Sequence, residues 1–314
     1  MTRVAALDCG TNSLRLLVAD VDGAAKSDVH REMRIVRLGQ GVDRTGLLAP
    51  DALERVRVAL VAYAQTCRDL GVEAIRLVAT SATRDARNRE DFTALVHDVL
   101  AVTPEVITGD AEAALSFDGA TRGLDRVDGP FLVMDIGGGS TEFVLGTDTV
   151  EAAMSVDVGC VRLTERHLSD DPPSADQVQA ARGDIERALA SVCAAVPVGR
   201  ARTVVGLAGS VTTVAAVALG LSAYDAERIH LSTLRADDIR KVTARLLGMT
   251  RVQRAALPVM HPGRVDVIGA GALVLRTVVD VLGLSEILVS EADILDGIAW
   301  SVPLRPPYQQ PQAT

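Results

Sequence analysis

Aromatic residues make up only 3% of this chain, so its interior has to be assembled from Ala, Val, Leu and Ile. That composition suits buried parallel strands covered by helices, an α/β class. Long apolar runs are missing too. Each is cut by a charge or a glycine before the roughly 20 residues that a bilayer crossing takes, which excludes a spanning helix although the mean hydropathy is +0.23. Residues 1–7 carry one Arg and pass straight into a strand-like run, without the apolar segment and cleavage site of a secretory leader. A cytoplasmic protein with no membrane partner is expected.

Cysteines are few and far apart. Cys9, Cys67, Cys160 and Cys193 form no C-x-x-C pair, which excludes a disulfide framework and a zinc site. Basic residues are outnumbered, 32 Lys and Arg against 41 Asp and Glu, for a net charge of −9. This argues against nucleic acid as a partner, and an anionic substrate would need a local cluster of donors. The five histidines are scattered, with no Cys or Ser nucleophile beside them, and read as structural.

What the chain does have is length and a repeat. Its 314 residues, 48% of them hydrophobic, suffice for two domains. Val4 to Leu7 reads as a strand that ends in Asp8-Cys9-Gly10-Thr11-Asn12-Ser13, and Leu14 to Ala19 resumes as a second strand. The pattern returns 127 residues later: Phe131 to Met134, then Asp135-Ile136-Gly137-Gly138-Gly139-Ser140-Thr141-Glu142, then Phe143 to Leu145. At that offset Asp8 falls on Asp135, Gly10 on Gly137 and Ser13 on Ser140, the mark of an internal duplication.

Helical periodicity covers Pro50 to Leu70, with Gly71 as its C-cap, and Asp91 to Leu100, Ala111 to Gly119 and Ser174 to Ala195. Ile75 to Ala79, Glu105 to Thr108, Thr203 to Leu207 and Ile287 to Val289 read as strands, and a last helix is expected around Ile294 to Trp300. The alternation favours a doubly wound arrangement. It divides the chain into residues 1–124 and 125–302, with the helix at about 290–302 returning to the first part and a Pro/Gln-rich tail at 303–314 that is not expected to fold.

A glycine loop between two strands lets backbone N–H groups approach a phosphate without interference from Cβ, and Ser or Thr hydroxyls add donors. Gly10, Thr11, Asn12 and Ser13 form one such loop, and Gly137, Gly138, Gly139, Ser140 and Thr141 a second. A tight hairpin explains a single glycine triplet equally well; two loops with matching aspartates are harder to explain so. Asp135 and Glu142 flank the second loop, and paired acids suit magnesium, which takes one or two carboxylates and keeps waters and phosphate oxygens. The plainer reading is a solvated carboxylate at a hairpin base. Asp8 would play the parallel part on the first loop.

Thr80 to Asn88 follows a buried strand, so its polar groups emerge where open α/β sheets bind ligands. Arg84 is placed there to meet phosphate oxygens, while Arg87 and Arg89 read as surface charges. Glu112 lies in the first turn of a helix, where the dipole favours a carboxylate in any protein. Gly209 and Ser210 open a third strand-to-helix turn suited to phosphate or a nucleoside, a turn type that is common. Arg162 reads equally as a phosphate contact or a surface charge.

Taken in order, Asp8 to Ser13, Thr80 to Asn88, Thr108 to Ala113, Asp135 to Glu142, Gly206 to Thr213 and Arg264 to Ile268 resemble the exopolyphosphatase and guanosine pentaphosphate phosphatase family, over roughly residues 3–300. The resemblance implies an actin-like ATPase fold, two ribonuclease-H-like lobes with a central cleft and a hinge near 120–128. It implies Glu112 as the catalytic glutamate that activates water, Arg84 as a catalytic arginine, Asp135 and Glu142 as acids for Mg2+, with Mn2+ as the substitute, and the two glycine loops as phosphate sites.

The implied activity is hydrolysis of the terminal phosphoanhydride of inorganic polyphosphate, of short chains because the chain ends before the helical extension of long-chain members. Guanosine pentaphosphate is the alternative substrate, and a homodimer is compatible with the family. A kinase-type phosphotransferase lacks an identifiable acceptor site here, and a sensor that binds without turnover conflicts with the intact acids. Two positions depart from the family pattern. Ala111-Glu112 supplies one acid where many members have two, and Asp293-Ile294-Leu295-Asp296-Gly297 stands where an arginine is usual.

Overall fold

A computed structural model describes residues 1–23 and 25–302; the tail expected at 303–314 lies outside them. Contacts divide the chain into two units, Met1–Gly119 with the segment from Ile294 onward, and Ala120–Asp293.

The first unit opens with three antiparallel strands, β1 (Thr2–Cys9), β2 (Ser13–Asp22) and β3 (Ala25–Ile35). After α1 (Val42–Thr45) and α2 (Pro50–Asp69), β4 (Ala74–Ala79) pairs parallel with β1. Next come α3 (Ser81–Asp85), α4 (Arg89–Leu100), β5 (Glu105–Val106), parallel to β4, and α5 (Gly109–Thr121). The sheet order is β3-β2-β1-β4-β5.

Helix α2 forms where it does for local reasons. Pro50 stands in its first turn, where a missing N–H costs nothing, and Gly71 closes the end with a left-handed φ of 68°. Between them Val56, Leu60, Tyr63 and Cys67 recur every three or four residues and are buried. They cover one face of the sheet together with Phe92 and Val96, and Tyr63 donates its hydroxyl to Leu14 O at 2.9 Å. Burial pushes the Cys67 thiol up to about 12, so it packs as a neutral group.

The second unit repeats this order. Strands β6 (Phe131–Ile136), β7 (Thr141–Gly146) and β8 (Val150–Val156) form the antiparallel part. Helices α6 (Cys160–His167) and α7 (Ala175–Ala195) follow, the latter opened by a reciprocal cap between Ser174 and Gln177. Strand β9 (Thr203–Leu207), parallel to β6, feeds α8 (Ala208–Ala218), and α9 (Ala226–Ile229) comes next.

Strand β10 (Thr233–Arg235) and helices α10 (Ala236–Gly248), α11 (Arg251–Ala255) and α12 (Ile268–Leu282) lead to β11 (Glu286–Val289), parallel to β9. The order β8-β7-β6-β9-β11 matches the first sheet strand for strand, and β10 adds an antiparallel edge. Twice-repeated order of this kind is the duplicated ribonuclease-H-like, actin-like architecture. The sheets are therefore mixed; doubly wound order holds only in their parallel halves.

The last described helix, α13 (Ile294–Trp300), belongs to the first unit. Ile294, Leu295, Ile298 and Ala299 cover Val4, Ala6, Leu17 and Ala19 on the face of the first sheet turned away from α2. The Asp296 carboxylate is almost fully buried and accepts from Lys26 Nζ at 2.9 Å and Arg31 Nη2 at 2.8 Å, both from β3. An acid thus anchors this helix to β3.

Gly297 packs directly on the backbone of α5. A Cβ there would overlap Leu115 O, which belongs to rigid main chain. Gly297→Ala is therefore expected to destabilise the protein by about 2–3 kcal/mol, read as a lower midpoint of urea unfolding. A change within about 0.5 kcal/mol would show that α13 shifts without loss.

Candidate functional site

In the first unit the polar groups gather at the carboxyl ends of β1, β4 and β5. The loop after β1 is closed by Gly10 N donating to Ser13 O at 2.9 Å. Its carbonyls face the chain that follows β3: Thr11 O accepts from Gly39 N at 2.8 Å, and Asn12 O from Val36 N and Arg37 N at 3.0 and 2.9 Å. Thr11 Oγ1 lies 3.0 Å from Ser81 Oγ, tying the loop to α3. Arg84, in the last turn of α3, donates from Nη1 to Glu112 Oε2 and to Ile107 O, each at 3.0 Å. Glu112, 8% exposed in the first turn of α5, is thereby held in place by a guanidinium. The structure brings Arg84 and Glu112 together, and loop 10–13 is fixed beside the start of α3.

The second unit builds the same turn. Gly137 N donates to Ser140 O at 3.0 Å, the counterpart of the Gly10 bond. Here the carbonyls face α6. Gly137 O accepts from Cys160 N at 3.0 Å, Gly138 O from Val161 N and Arg162 N at 2.8 and 3.2 Å, and Gly139 O from Arg162 Nε at 2.8 Å. A trans peptide points its N–H away from its C=O. With three carbonyls turned to α6, the amides of Gly138, Gly139 and Ser140 face the opposite side, the arrangement of an anion nest.

Thr141 is a different matter. It is fully buried, and its hydroxyl donates to Val158 O at 2.6 Å, so that hydroxyl braces the loop from beneath where the sequence reading counted it among the phosphate donors.

The strand register places the acids. Asp135 stands directly opposite Glu142, and Glu142 opposite Ser155, whose Oγ donates to Glu142 Oε1 at 2.7 Å. In the first unit the same row reads Asp8, Arg15, Met33. Arg15 donates to Asp8 Oδ2 from Nε at 2.9 Å and from Nη2 at 2.7 Å. One half therefore carries an acid and a guanidinium where the other carries two acids, and Asp8 has a built-in cation as partner. The offset of 127 residues already superimposes Arg15 on Glu142, a signal that sequence reasoning left unused.

Neighbouring buried carboxylates repel one another when both are ionised. The donor set of Asp135 and Glu142 fits a hard divalent cation that keeps waters and phosphate oxygens in its remaining positions. Among the described residues there is no cluster of three or more His, Cys, Asp or Glu side chains, so a cage made wholly of protein is not what these positions offer.

The β9–α8 turn is more tightly packed than its glycines suggest. Ala208 has a left-handed φ of 66°, which costs an alanine about 1 kcal/mol or more. The Arg264 guanidinium lies against Gly209, with Nε 2.5 Å from where a Cβ would be, and its Nη1 donates to Thr213 Oγ1 at 3.1 Å. Thr213 in turn donates to Gly209 O at 2.6 Å. Ser210 is buried against Gly271 and hydrogen-bonded to Cys160, whose thiol burial pushes up, and the Arg264 guanidinium is the charged group packed on this turn. Burial and the neighbouring Arg264 hold His261 below its ordinary value. Arg264 escaped the sequence reading as a site residue because the turn it meets is some fifty residues earlier in the chain.

No helix among the described residues is long and apolar enough to cross a membrane. The chain is similar over nearly its whole length to known proteins. Exopolyphosphatase 2 of Mycobacterium tuberculosis is 54% identical over 315 residues, covering 96% of this chain and 99% of that protein. The crystal structure of an exopolyphosphatase-like protein matches with a TM-score of 0.92 at 41% identity, over 96% of this chain and 98% of that one. A crystal structure of the Aquifex aeolicus member of the Ppx/GppA family matches with a TM-score of 0.80 at 30% identity, over 96% and 97%. The profile of the Ppx/GppA phosphatase family spans residues 17–304, and with these relatives it shows that the chain belongs to that family.

Proposed function

We propose that this protein is an exopolyphosphatase that hydrolyses the terminal phosphoanhydride of inorganic polyphosphate in the cytoplasm. The observation that carries the reading is the pair of glycine loops with one turn geometry, each with its carbonyls bonded on one side so that its amides are aimed the other way. Such donors hold phosphoryl oxygens before and during reaction, and phosphoryl transfer depends on positioning and electrostatics more than on covalent chemistry. The name of the 54% identical relative supports polyphosphate as the substrate.

In this mechanism Glu112 orients a water and takes its proton as the water oxygen bonds to the terminal phosphorus. The bond to the bridging oxygen breaks, and the shortened chain leaves with that oxygen's charge. Arg84 holds the Glu112 carboxylate in place through the bond from its Nη1. Asp135 and Glu142 would hold Mg2+, or Mn2+ in its stead, and when bound the metal neutralises charge on phosphate oxygens. Four unpaired cysteines suit a reducing compartment.

A second reading, guanosine pentaphosphate as substrate, draws on Tyr224. Its hydroxyl bonds Thr212 Oγ1 at 2.7 Å and Glu291 Oε1 at 2.5 Å, while the residue stays 41% exposed, leaving an aromatic surface suited to a nucleobase. Phosphate release with Mg2+ from short polyphosphate, long polyphosphate, guanosine pentaphosphate and ATP decides between them. Fastest release from short polyphosphate is expected; preference for the guanosine nucleotide would install the second reading, and no release from any would overturn both.

A further inference from the structure

Of the three peptide units that aim the second loop, two are held by main chain and one by a side chain. The carbonyls of Gly137 and Gly138 bond to amides at the start of α6, whereas the Gly139 carbonyl bonds to the Arg162 guanidinium. The N–H of that third unit belongs to Ser140. In the first unit the Thr11 and Asn12 carbonyls accept from the backbone amides of Gly39, Val36 and Arg37. The Arg162 clamp on Gly139 O lies in the half that carries the paired acids Asp135 and Glu142.

Two details show that the clamp is built to stay closed. The Arg162 side chain is only 11% exposed, with Nη2 3.8 Å from Asp157 Oδ1, so its charge sits in a packed position. Gly159, just before α6, lets the helix lie against the loop: a Cβ there would overlap the Gly138 carbonyl and come within 2.6 Å of the Gly139 carbonyl carbon. Both contacts are to backbone, which cannot swing aside.

We infer that Arg162 is a positioning residue, which aims the Ser140 amide at phosphate by holding the Gly139 carbonyl, and that Gly159 is the residue whose missing side chain makes this possible. The inference rests on the phosphate reading above. It differs from a direct Arg162–phosphate contact, in which the guanidinium would face the substrate and its removal would weaken the salt dependence of binding.

The test uses the full chain with Mg2+ and tripolyphosphate, measuring Kd by calorimetry, KM and kcat by phosphate release, and Tm. Arg162→Met should raise Kd and KM about tenfold, the loss of roughly one charge-assisted hydrogen bond's worth of alignment, with kcat little changed because ground and transition states share the donor. The dependence of Kd on ionic strength should run parallel to that of the parent, since no charge that touches substrate is lost.

Gly159→Ala, which keeps the guanidinium but displaces the loop, should raise Kd likewise. A flatter salt dependence in Arg162→Met, a lowered Tm with unchanged Kd, or a parental Kd in Gly159→Ala would each overturn the inference. Should Arg162→Met not fold, Gly159→Ala decides alone. A parent protein without affinity for tripolyphosphate would instead overturn the reading beneath it.

Discussion

Glu112→Gln protein is expected to bind tripolyphosphate as the parent does and to release phosphate more slowly by a factor on the order of a hundred to ten thousand. The amide keeps the volume and planar shape of the carboxylate, and its oxygen still accepts from Arg84 Nη1, the bond that spans 3.0 Å in the parent. What it loses is the ability to take a proton from water. Folding should be little disturbed, because the residue stays in the first turn of α5 with its N–H bonded to Thr108 O at 2.9 Å. Parental kcat would remove Glu112 from the role of base, and loss of binding together with turnover would make it a residue that shapes the site.

Glu142→Arg should have an effect of similar size for an unrelated reason. The first unit already contains the row that this change would create, since Asp8 and Arg15 occupy the places of Asp135 and Glu142 and form a close ion pair. The variant is therefore expected to fold, with the introduced guanidinium donating to the Asp135 carboxylate, and Ser155→Met added to it would copy the whole row Asp8, Arg15, Met33. The divalent cation would lose its pair of acids. If that cation contributes several kcal/mol to the transition state, turnover should fall about a thousandfold, and added Mg2+ should no longer raise Tm. Retained activity, or a Tm that still responds to Mg2+, would place the metal elsewhere.

These expectations draw on different depths of the sequence. The glycine loops, β9 and α13 were legible because turn residues and apolar runs mark them locally, and the duplication followed from matching aspartates. Strand β3 was not assigned, because its residues Lys26 to Arg34 alternate charge with little apolar signal; it is an edge strand, half exposed throughout. Helix α12 is buried and apolar from Ile268 to Leu275, and only Arg276 and Asp280 near its end supply the polar face by which a surface helix announces itself.

The site was legible as parts and less so as pairings. Glu112 by position alone reads as an ordinary first-turn acid, and only family likeness gave it a task. Arg15 and Arg264 depend on partners fixed by strand register or by a turn distant in the chain, which no local pattern encodes. Thr141 looked like one more hydroxyl in the loop until the register turned it inward.

The return of α13 also bears on how the protein is made. Residues 120–293 are, in sequence, an insertion inside the first unit. A ribosome delivers β1 and β2 before the second unit and the helix that covers Val4, Ala6, Leu17 and Ala19 after it. During synthesis that apolar face waits bare while the second unit, contiguous in the chain, becomes complete. The first unit closes only when the segment from Ile294 onward emerges, so a nascent chain stalled before Ile294 carries a finished second unit and an uncovered first one, the species on which chaperones and proteases act.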